Sequence, residues 1–429
     1  MFSLKEESKR IKAVLFLSSA IMFSLIMISI FYYGNSNLLG DFYKPNNDDV
    51  KFIRSAWLLA TTGNYTYHNP PSATVFMMPG LSFTLAFFMK IFGEFGGITA
   101  FRILQGVMQI GSLMLIFYIG RKIFNSKVAI VAVVLDLFYI AEILMPTLIL
   151  TETIFKFFVL CLIFISLYAV ETGKIKYYVL GGVFLALSAL FRPTISLYPI
   201  LILIMWIVKK EKPINCIRYA CITIAVFCVM LSPWWIRNYT IFHRFIPFTI
   251  ASGDPMRQGT FIDYDKSVKL TEGIDYTNYN YDNPNLSEIE KDNMQTKFSK
   301  YRLSILFPRE PLRFVYWYTI GKGWIQIKTP FYWKEMLGVT FSQSKEYHSL
   351  LLILAFIGCI AYFRNRDRNK LGLLPFMALI YFIIVYLPFY TMSRYYYPIM
   401  PCLIIFSANI ILLAYEHLKK NLIPRLQKR

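Results

Sequence analysis

Charge is the scarcest property of this chain. Only 16% of its 429 residues are Asp, Glu, Lys or Arg, whereas about a quarter of the residues of a soluble protein are charged. Hydrophobic residues make up 56% of the chain, and its mean hydropathy is +0.48. The scarcity of charge excludes a water-soluble enzyme, and the apolar runs that recur along the chain indicate a multi-pass membrane protein.

Cysteine and histidine are also scarce, with six and four residues respectively. The cysteines form no C-x-x-C pair and no histidine stands at metal-ligand spacing, which disfavours a disulfide framework and a zinc site. We interpret the cysteines as small buried hydrophobic residues. Neither a G-x-G-x-x-G after a strand pattern nor a G-x-x-x-x-G-K-[ST] occurs, which disfavours nucleotide binding from the cytosol.

Acidic residues are fewer than basic ones, 25 against 45, which gives a net charge of +20. The basic residues stand in short clusters between apolar runs, as the positive-inside rule expects of cytoplasmic turns. They are not interleaved with aromatic residues as on a nucleic-acid-binding face. The basic excess therefore predicts membrane topology and not a nucleic-acid partner.

The apolar runs predict about ten membrane-spanning helices in an all-α bundle. A spanning helix needs about 20 apolar residues, because each residue advances about 1.5 Å through about 30 Å of hydrocarbon. The predicted spans are 13–33, 98–120, 128–146, 151–171, 177–192, 193–208, 214–236, 347–363, 371–391 and 397–416.

The basic clusters predict the orientation of these spans. With a cytoplasmic N-terminus, every cluster falls on the cytoplasmic side, and so does the C-terminus. The clusters are Arg121/Lys122/Lys127, Lys174/Lys176, Lys209/Lys210/Lys212, Arg364/Arg366/Arg368/Lys370 and Lys419/Lys420. The run 74–92 would break this alternation if it spanned, and it contains Pro79, Gly80 and Lys90. We therefore predict an interfacial or re-entrant helix there, on the outer side.

This topology leaves two long loops outside the membrane. The first covers about 34–97 and the second about 238–346, so the chain divides into an N-terminal membrane module (1–237), an outer loop (238–346) and C-terminal helices with a cytoplasmic tail (347–429). Within the second loop, the segment 311–326 is aromatic and amphipathic. It fits a helix on the membrane surface as well as a buried helix of a small loop domain.

The most informative polar feature is the acidic pair Asp48 and Asp49 in the first outer loop. Both directly precede the apolar-periodic stretch 52–59. Either carboxylate could cap that helix, where it would meet the positive helix end. The alternative is a general base or a metal ligand at the membrane edge. Adjacent residues of a helix point in different directions, so we expect the two acids to differ in role.

The sequence around this pair resembles the GT-C membrane glycosyltransferases, in the branch that contains the protein O-mannosyltransferases and the lipid A aminoarabinose transferase. The residues that carry the resemblance in the first loop are Asp48, Phe52, Ala56, Gly63, Tyr65, Pro79 and Gly80. It continues at Leu150-Thr151-Glu152, Phe191-Arg192-Pro193, Pro233-Trp234-Trp235-Ile236-Arg237-Asn238 and Arg394-Tyr395. The motifs are individually loose, but they follow the family's order over most of the first 260 residues and a short patch near the end.

This resemblance implies a polyprenyl-phosphate-linked sugar donor, an acceptor outside the membrane and polyprenyl phosphate as a product. The family's catalytic Asp falls on Asp48, with Asp49 as the next candidate. Many relatives carry a basic residue just before their Pro-Pro-Gly, where this chain has Phe76-Met77-Met78-Pro79-Gly80, so another cation must neutralise the donor phosphate. An acidic residue that some relatives use there as a metal ligand is also missing. No cofactor is therefore required, and a divalent metal stays open.

Arginines at the outer ends of predicted spans are the candidates for that cation. Arg192, Arg237 and Arg394 lie where the positive-inside rule does not require them, and Arg54 lies in the first-loop helix. A guanidinium can bind two phosphate oxygens at once. For each arginine the alternative is a side chain that reaches for lipid headgroups.

The remaining candidates are Glu152, His68 and Tyr395. Glu152 matches the family's Thr/Ser-Glu and would face the outer cavity, although it stands one helical turn before Lys156 and could form a local ion pair. His68 is the only histidine in the first loop, where it could touch substrate, and Tyr395 follows Arg394. Asp136 lies near the middle of a span, where we expect it to be protonated or paired inside the bundle.

We therefore predict an inverting glycosyltransferase in a bacterial plasma membrane, with Asp48 as the general base. Its partners would be a polyprenyl-phosphate-sugar lipid, membrane lipids and a glycan, lipid or protein acceptor, and its second outer loop lacks the inserted domain of eukaryotic relatives. The first alternative is a membrane polysaccharide polymerase, which would not need the early acidic pair. The second is a lipid or glycan transporter, which often shows inverted repeats that are not found here.

Overall fold

The computed structural model describes residues 3–44, 46–68 and 70–421. These residues form helices and loops, with a single isolated bridge between Met336 and Val339 and no β-strand. The predicted all-α fold is confirmed. The end of the predicted cytoplasmic tail, 422–429, lies outside the described residues.

The chain before the second outer loop folds into nine α-helices among the described residues, labelled in chain order. These are α1 (Lys9–Tyr33), α2 (Asp48–Thr62), α3 (Gly80–Ile123), α4 (Ser126–Leu137), α5 (Ala141–Leu144), α6 (Glu152–Thr172), α7 (Ile175–Phe191), α8 (Pro199–Lys209) and α9 (Pro213–Phe242). The second outer loop contains α10 (Gly253–Gly259), α11 (Glu288–Arg309), α12 (Pro311–Tyr316) and α13 (Lys322–Ile327). The C-terminal part contains α14 (Phe341–Arg364), α15 (Leu373–Ile384) and α16 (Met400–Asn421).

Six stretches in the described part of the chain are long and apolar enough to cross a membrane. They are Lys9–Asn37, Gly80–Ile123, Glu152–Thr172, Pro213–Phe242, Phe341–Arg364 and Ser393–Lys420. A bent pair, Ser126–Leu137 with Ala141–Thr147, passes the same test, and three shorter apolar helices are Ile175–Phe191, Pro193–Lys209 and Lys370–Ile384. Every predicted span falls on one of these stretches. The total reaches ten only if the bent pair and the three shorter helices each cross.

The predicted continuous span 128–146 is wrong in one respect, because it is broken between α4 and α5. Its two parts meet at 69°. Inside a membrane, backbone carbonyls at the end of a helical segment also need donors. At the far end of the bent pair, Gln105 donates to the carbonyls of Pro146 and Leu148, at 3.1 and 2.6 Å, and Arg102 Nε donates to that of Thr147 at 2.7 Å. The polar residues of α3 therefore hold the end of the second arm, at 146–148.

The helical run α3 is divided at Gly93, whose φ of 73° and ψ of 178° are not helical. The part before Gly93 covers 80–92 of the run 74–92 that was predicted as a separate outer helix, and 74–79 is loop. The part after Gly93 covers the predicted span 98–120. Beside it, α2 buries Val50, Phe52, Ile53 and Ala56, and α2 ends at Gly63, which has a φ of 77°. The amphipathic α2 thus lies against α3 and holds its own first turn, with Asp48, at the outer end of the bundle.

The two outer loops are joined to each other. The hydroxyl of Thr74 donates to Glu288 at 2.8 Å, and the amide of Ile250 donates to the carbonyl of Val75 at 3.2 Å. In the second loop, α12, a π-helical turn over Trp317–Gly321 and α13 bury Trp317 on one side. On the opposite side large apolar residues are exposed at a four-residue spacing, namely Leu312, Tyr316, Ile320 and Trp324. This exposed face suits a segment on the membrane surface.

The free cysteines differ in their surroundings. Cys161 and Cys402 are buried, as predicted, but Cys221 is exposed on the outside of α9. The expectation of burial is wrong for Cys221, because only 11% of the most apolar window of that helix is buried inside the protein. In a membrane protein an apolar exposed surface can face lipid, so burial does not follow from low polarity.

Candidate active site

Asp48 and Arg394 form an ion pair at the outer end of the bundle. Asp48 is the first residue of α2 and Arg394 precedes α16, so the two are 346 residues apart in sequence. Arg394 Nη2 lies 2.6 Å from Asp48 Oδ2. The fold therefore brings the candidate base from the start of the chain to a candidate phosphate-binding cation from its end.

The ion pair continues inward as a chain of alternating charges. Arg394 Nε lies 3.6 Å from Glu152 Oε1, and the same carboxylate oxygen lies 2.5 Å from Arg192 Nη2. The side chains of Glu152, Arg394 and Arg192 are 1%, 13% and 14% exposed, whereas that of Asp48 is 38% exposed. Asp48 is thus the end of the chain that is open to a ligand. We refer to these four residues as the outer charge cluster.

Several neighbours fix the position of Arg192. Its Nε donates to the Thr151 hydroxyl at 2.8 Å and its Nη1 to the Tyr386 hydroxyl at 3.3 Å. Its guanidinium lies 5.0 Å above the ring of Tyr395, which stacks on Tyr386 with 4.7 Å between ring centroids. The predicted residue Tyr395 therefore contacts the outer charge cluster through its ring and orients Arg192.

The positive charges around Asp48 keep its carboxylate ionised. Burial acts to raise the pKa of Asp48, but Arg394, by its charge and its hydrogen bond, together with Lys51 and Arg192, lowers it below its usual value. A base with a lowered pKa takes up a proton less readily. As long as this ion pair holds, Asp48 is an ionised but weak base.

Two neighbours of Asp48 were not predicted from the sequence, namely Lys51 and Tyr67. Lys51 is three residues further along α2, on the same helix face, and its Nζ lies 5.9 Å above the ring of Tyr67. The Tyr67 hydroxyl is buried close to Asp48. Burial and the charge of Asp48 raise the pKa of Tyr67. The spacing of Lys51 from Asp48 was a usable signal, whereas the position of Tyr67 depends on the loop after α2.

Asp49 has a different environment from Asp48. It is fully buried, and it accepts hydrogen bonds from the backbone amides of Leu39 and Val50. Burial raises the pKa of Asp49 even though these amides oppose the effect. The structure therefore uses Asp49 to hold the turn before α2 and does not turn it toward the outer charge cluster.

Arg54 and Arg237 are not brought to this cluster. Arg54 Nη1 lies 3.1 Å from Glu94 and its Nη2 donates to the carbonyl of Phe42 at 3.0 Å. Arg237 Nη1 donates to the carbonyl of Thr74 at 2.7 Å, and its guanidinium lies against three aromatic rings. Both arginines tie parts of the outer loops together. Of the predicted arginines, Arg192 and Arg394 meet at the site.

His68 has an exposed edge, while its ring packs against Tyr67 and Phe76 at 4.8 and 4.4 Å between ring centroids. This partial burial and the charges of Lys51 and Lys291 lower the pKa of His68 to about 4, although Asp48 and Asp254 act to raise it. At neutral pH the ring is therefore uncharged. It can contact a substrate hydroxyl as a hydrogen-bond partner but adds no positive charge for a phosphate.

We assign no residue to a metal ion. Within the ranges that the structure describes, no three His, Cys, Asp or Glu side chains gather where they could hold one. The carboxylates at the site, Asp48 and Glu152, are paired with Arg394 and Arg192 instead. The positive charge that the site offers to a ligand comes from these arginines and Lys51.

Comparison with known proteins adds a family match over part of the chain. Residues 72–236 match the family described as dolichyl-phosphate-mannose-protein mannosyltransferase. This segment includes Glu152 and Arg192, while Asp48 and Arg394 lie outside it. No curated protein matches the chain in sequence.

Solved structures match over almost the whole chain. The archaeal oligosaccharyltransferase AglB from Archaeoglobus fulgidus, in complex with an inhibitory peptide and a dolichol-phosphate, has a TM-score of 0.53 at 11% identity and covers 96% of this chain and 51% of its own. The apo form of the oligosaccharyltransferase from the same organism has a TM-score of 0.56 at 13% identity, with coverages of 99% and 52%. The chain thus spans about half the length of these enzymes. ArnT from Cupriavidus metallidurans, bound to undecaprenyl phosphate, has a TM-score of 0.44 at 10% identity, with coverages of 94% and 79%.

The chain thus shares its fold with these solved membrane glycosyltransferases. The family match over 72–236 agrees with the resemblance that the motifs at Glu152 and Arg192 indicate.

Proposed function

We propose that the protein transfers a sugar from a polyprenyl-phosphate-linked donor to an acceptor on the extracytoplasmic side of the membrane. The ion pair between Asp48 and Arg394 is the observation that carries this proposal. It joins a carboxylate that can accept a proton to a guanidinium that can bind phosphate, at the outer end of an apolar bundle. The family match over 72–236 supports the same class of donor.

In the proposed reaction the acceptor oxygen attacks the anomeric carbon on the face opposite the phosphate. The new carbon–oxygen bond forms as the bond from that carbon to the phosphate oxygen breaks, and the electron pair leaves with the phosphate. The hydroxyl proton passes to Asp48, and the attack from the opposite face inverts the anomeric configuration. Arg394 and Arg192 stabilise the negative charge that develops on the leaving phosphate.

The grouping of charges at the two ends of the bundle supports the proposed orientation. At the end opposite Asp48, Arg121 lies 3.0 Å from Glu7, Lys122 lies 2.6 Å from Glu171, and the Asn369 side chain donates to the Lys122 carbonyl at 2.9 Å. Basic clusters from distant parts of the chain thus share one end, as the positive-inside rule expects of a cytoplasmic face. We propose cytoplasmic termini and a bacterial plasma membrane on this basis and on that of the sequence.

The test is sugar transfer by purified protein in liposomes, with a panel of undecaprenyl-phosphate-linked sugars as donors and release of undecaprenyl phosphate as the readout. Asp48→Asn keeps the shape of the side chain but removes the base, so we expect the rate to fall by about 100-fold or more. Asp41→Asn is the matched control, because Asp41 is an exposed acid of the same loop that pairs with Lys44 at 3.7 Å. It should keep the wild-type rate.

Two outcomes would contradict the proposal. Correctly inserted Asp48→Asn protein that transfers sugar at the wild-type rate would remove Asp48 from the mechanism. Movement of the lipid-linked sugar across the membrane without release of undecaprenyl phosphate would indicate a transporter and not a transferase.

A further inference from the structure

The ion pair at the site poses a chemical problem for the proposed base. The carboxylate of Asp48 is already bound to Arg394 at 2.6 Å, and a carboxylate in such a pair accepts a proton poorly. The same guanidinium is also the cation that the proposed function assigns to the donor phosphate. The two roles compete for one side chain.

Arg394 presents different donors to its two carboxylates. Its Nη2 donates to Asp48, whereas its Nε is buried and lies 3.6 Å from Glu152. A guanidinium offers five donors in a planar fork, which suits two phosphate oxygens. An incoming anion therefore meets Arg394 on the side that holds Asp48, and Arg394 can bind it without leaving its place beside Glu152.

The two carboxylates that share Arg394 are held very differently. Glu152 is 1% exposed and receives a second ion pair from Arg192 and a hydrogen bond from Thr151. Asp48 is 38% exposed and has Arg394 as its ion-pair partner. When a third anion reaches Arg394, Asp48 is the carboxylate that can leave the guanidinium, whereas Glu152 stays bound.

We propose that the phosphate of the lipid-linked donor displaces Asp48 from Arg394 and thereby releases the carboxylate to act as the base. Arg394 is then an exchange partner, bound to Asp48 in the resting protein and to phosphate in the donor complex. Asp48 gains basicity only when a donor is present. This inference rests on the proposed function, since it assigns a regulation to the same site.

The exchange makes a prediction about binding that does not require catalysis. If phosphate must displace Asp48, then Asp48→Asn removes a competitor and should strengthen the binding of undecaprenyl phosphate. The gain expected from an ion pair of this exposure is about two- to fivefold. Asp41→Asn, which removes the same charge from the exposed part of the loop, should leave the affinity unchanged.

A double-mutant cycle separates exchange from simple charge repulsion. Dissociation constants for undecaprenyl phosphate are measured for the wild type, Asp48→Asn, Arg394→Gln and the double variant. Exchange predicts that Arg394→Gln weakens binding and that Asp48→Asn gives no gain once Arg394 is absent. A gain of equal size in both backgrounds would overturn the inference, because it would show repulsion alone.

The single variant is decisive even if Arg394→Gln protein does not fold. An affinity of Asp48→Asn equal to or below that of the wild type would end the exchange model, as would a wild type that does not bind undecaprenyl phosphate. Binding and transfer are read out separately. If Asp48→Asn does not strengthen binding but abolishes transfer, the exchange alone is overturned. If transfer does not depend on Asp48, the proposed function is overturned.

Discussion

At the scale of single residues, the adjacent acids Asp48 and Asp49 show what the sequence can and cannot predict. Their position before an apolar-periodic helix predicts that one of them could cap it and that the two differ. The expected cap is wrong, because Asn47 occupies the N-cap position and both acids lie in the first turn of α2. The different environments of the two acids depend on the path of the preceding loop, because Leu39 supplies the amide that binds Asp49. That loop path is set by packing against distant helices and leaves no local signal.

The arginines show the same limit. Arg192, Arg237 and Arg394 all precede or follow a predicted span at its outer end, and local sequence does not distinguish them. In the fold, Arg192 and Arg394 share Glu152, while Arg237 binds the carbonyl of Thr74. Their separation depends on which helices become neighbours. Lys51, by contrast, could have been predicted, since it is one turn from Asp48 on the same helix face.

The lowered pKa of Asp48 gives a prediction for the pH dependence of transfer. The proposed reaction needs ionised Asp48, so we expect the rate to fall as the pH drops through its pKa. In the free protein Arg394 lowers that pKa. The usual pKa of an aspartate is about 4, so the acidic limb of kcat/KM should lie at a lower pH than this usual value. In the donor complex phosphate occupies Arg394, so the acidic limb of kcat should lie at higher pH.

Steady-state rates between pH 3 and 8 would reveal this separation. His68 has a pKa of about 4 and could also titrate in this range, so the control is His68→Asn, in which the two limbs should remain apart. Acidic limbs at the same pH in kcat and kcat/KM would contradict the exchange of Arg394.

At the scale of helices, Gly93 divides α3 into an outer part and a spanning part. Its φ of 73° with a ψ of 178° falls in a region open essentially only to glycine. Nothing lies within 4 Å of a Cβ built there, so a substitution meets backbone strain without a steric clash. The outer part of α3 can therefore turn away from the spanning part at this residue and pack against α2.

We expect Gly93→Ala to lower the free energy of unfolding by about 1–3 kcal/mol, the cost of that backbone conformation. Gly181→Ala is the matched control, because a Cβ at Gly181 also meets nothing within 4 Å, but Gly181 lies in the regular helix α7. That control should be stabilised by about 0.5–1 kcal/mol. Unfolding in detergent would measure both, and equal effects of the two substitutions would contradict the assignment of strain to Gly93.

The break between α4 and α5 was not predicted because both halves are apolar and together have the length of one span. The sequence does carry a signal for the irregular backbone that follows α5, in Arg102 and Gln105. These polar residues, one helical turn apart within an apolar run, donate to the carbonyls at 146–148. A polar pair inside a span therefore indicates a neighbouring irregular backbone as well as a ligand site.

At the scale of the whole molecule, one buried ammonium links four parts of the bundle. Lys156 of α6 contacts Glu142 of α5, Gln109 of α3 at 2.6 Å and the Tyr397 hydroxyl, just before α16, at 2.7 Å. The expected local pair between Glu152 and Lys156 does not form. Glu152 pairs with Arg192 and Arg394, and Lys156 pairs with Glu142. The two ion-pair systems are thus separate.

This arrangement predicts that Lys156→Met destabilises the protein strongly. It leaves the carboxylate of Glu142 buried without its cation, and breaking a buried pair costs about 3–5 kcal/mol. Adding Glu142→Gln removes the uncompensated charge and should recover part of the loss, while Lys90→Met, at an exposed position, should have little effect. Thermal unfolding in detergent would measure the series, and a double variant no more stable than Lys156→Met would contradict this account.

The number and positions of the apolar segments could be predicted from the sequence because hydrocarbon thickness fixes the length of a span. The neighbours of each segment could not, since apolar helix surfaces are alike in composition. Asp48 and Arg394 therefore stood as separate candidates, and only the three-dimensional fold shows that they touch.

The pairing of Asp48 with Arg394 also has a consequence for synthesis in the cell. The ribosome supplies the acid early and the guanidinium only 346 residues later. A nascent chain that stops before Arg394 has the proposed base without the cation that holds it. We therefore expect the proposed transfer to begin only after the segment that carries Arg394 has been synthesised and has packed against α2.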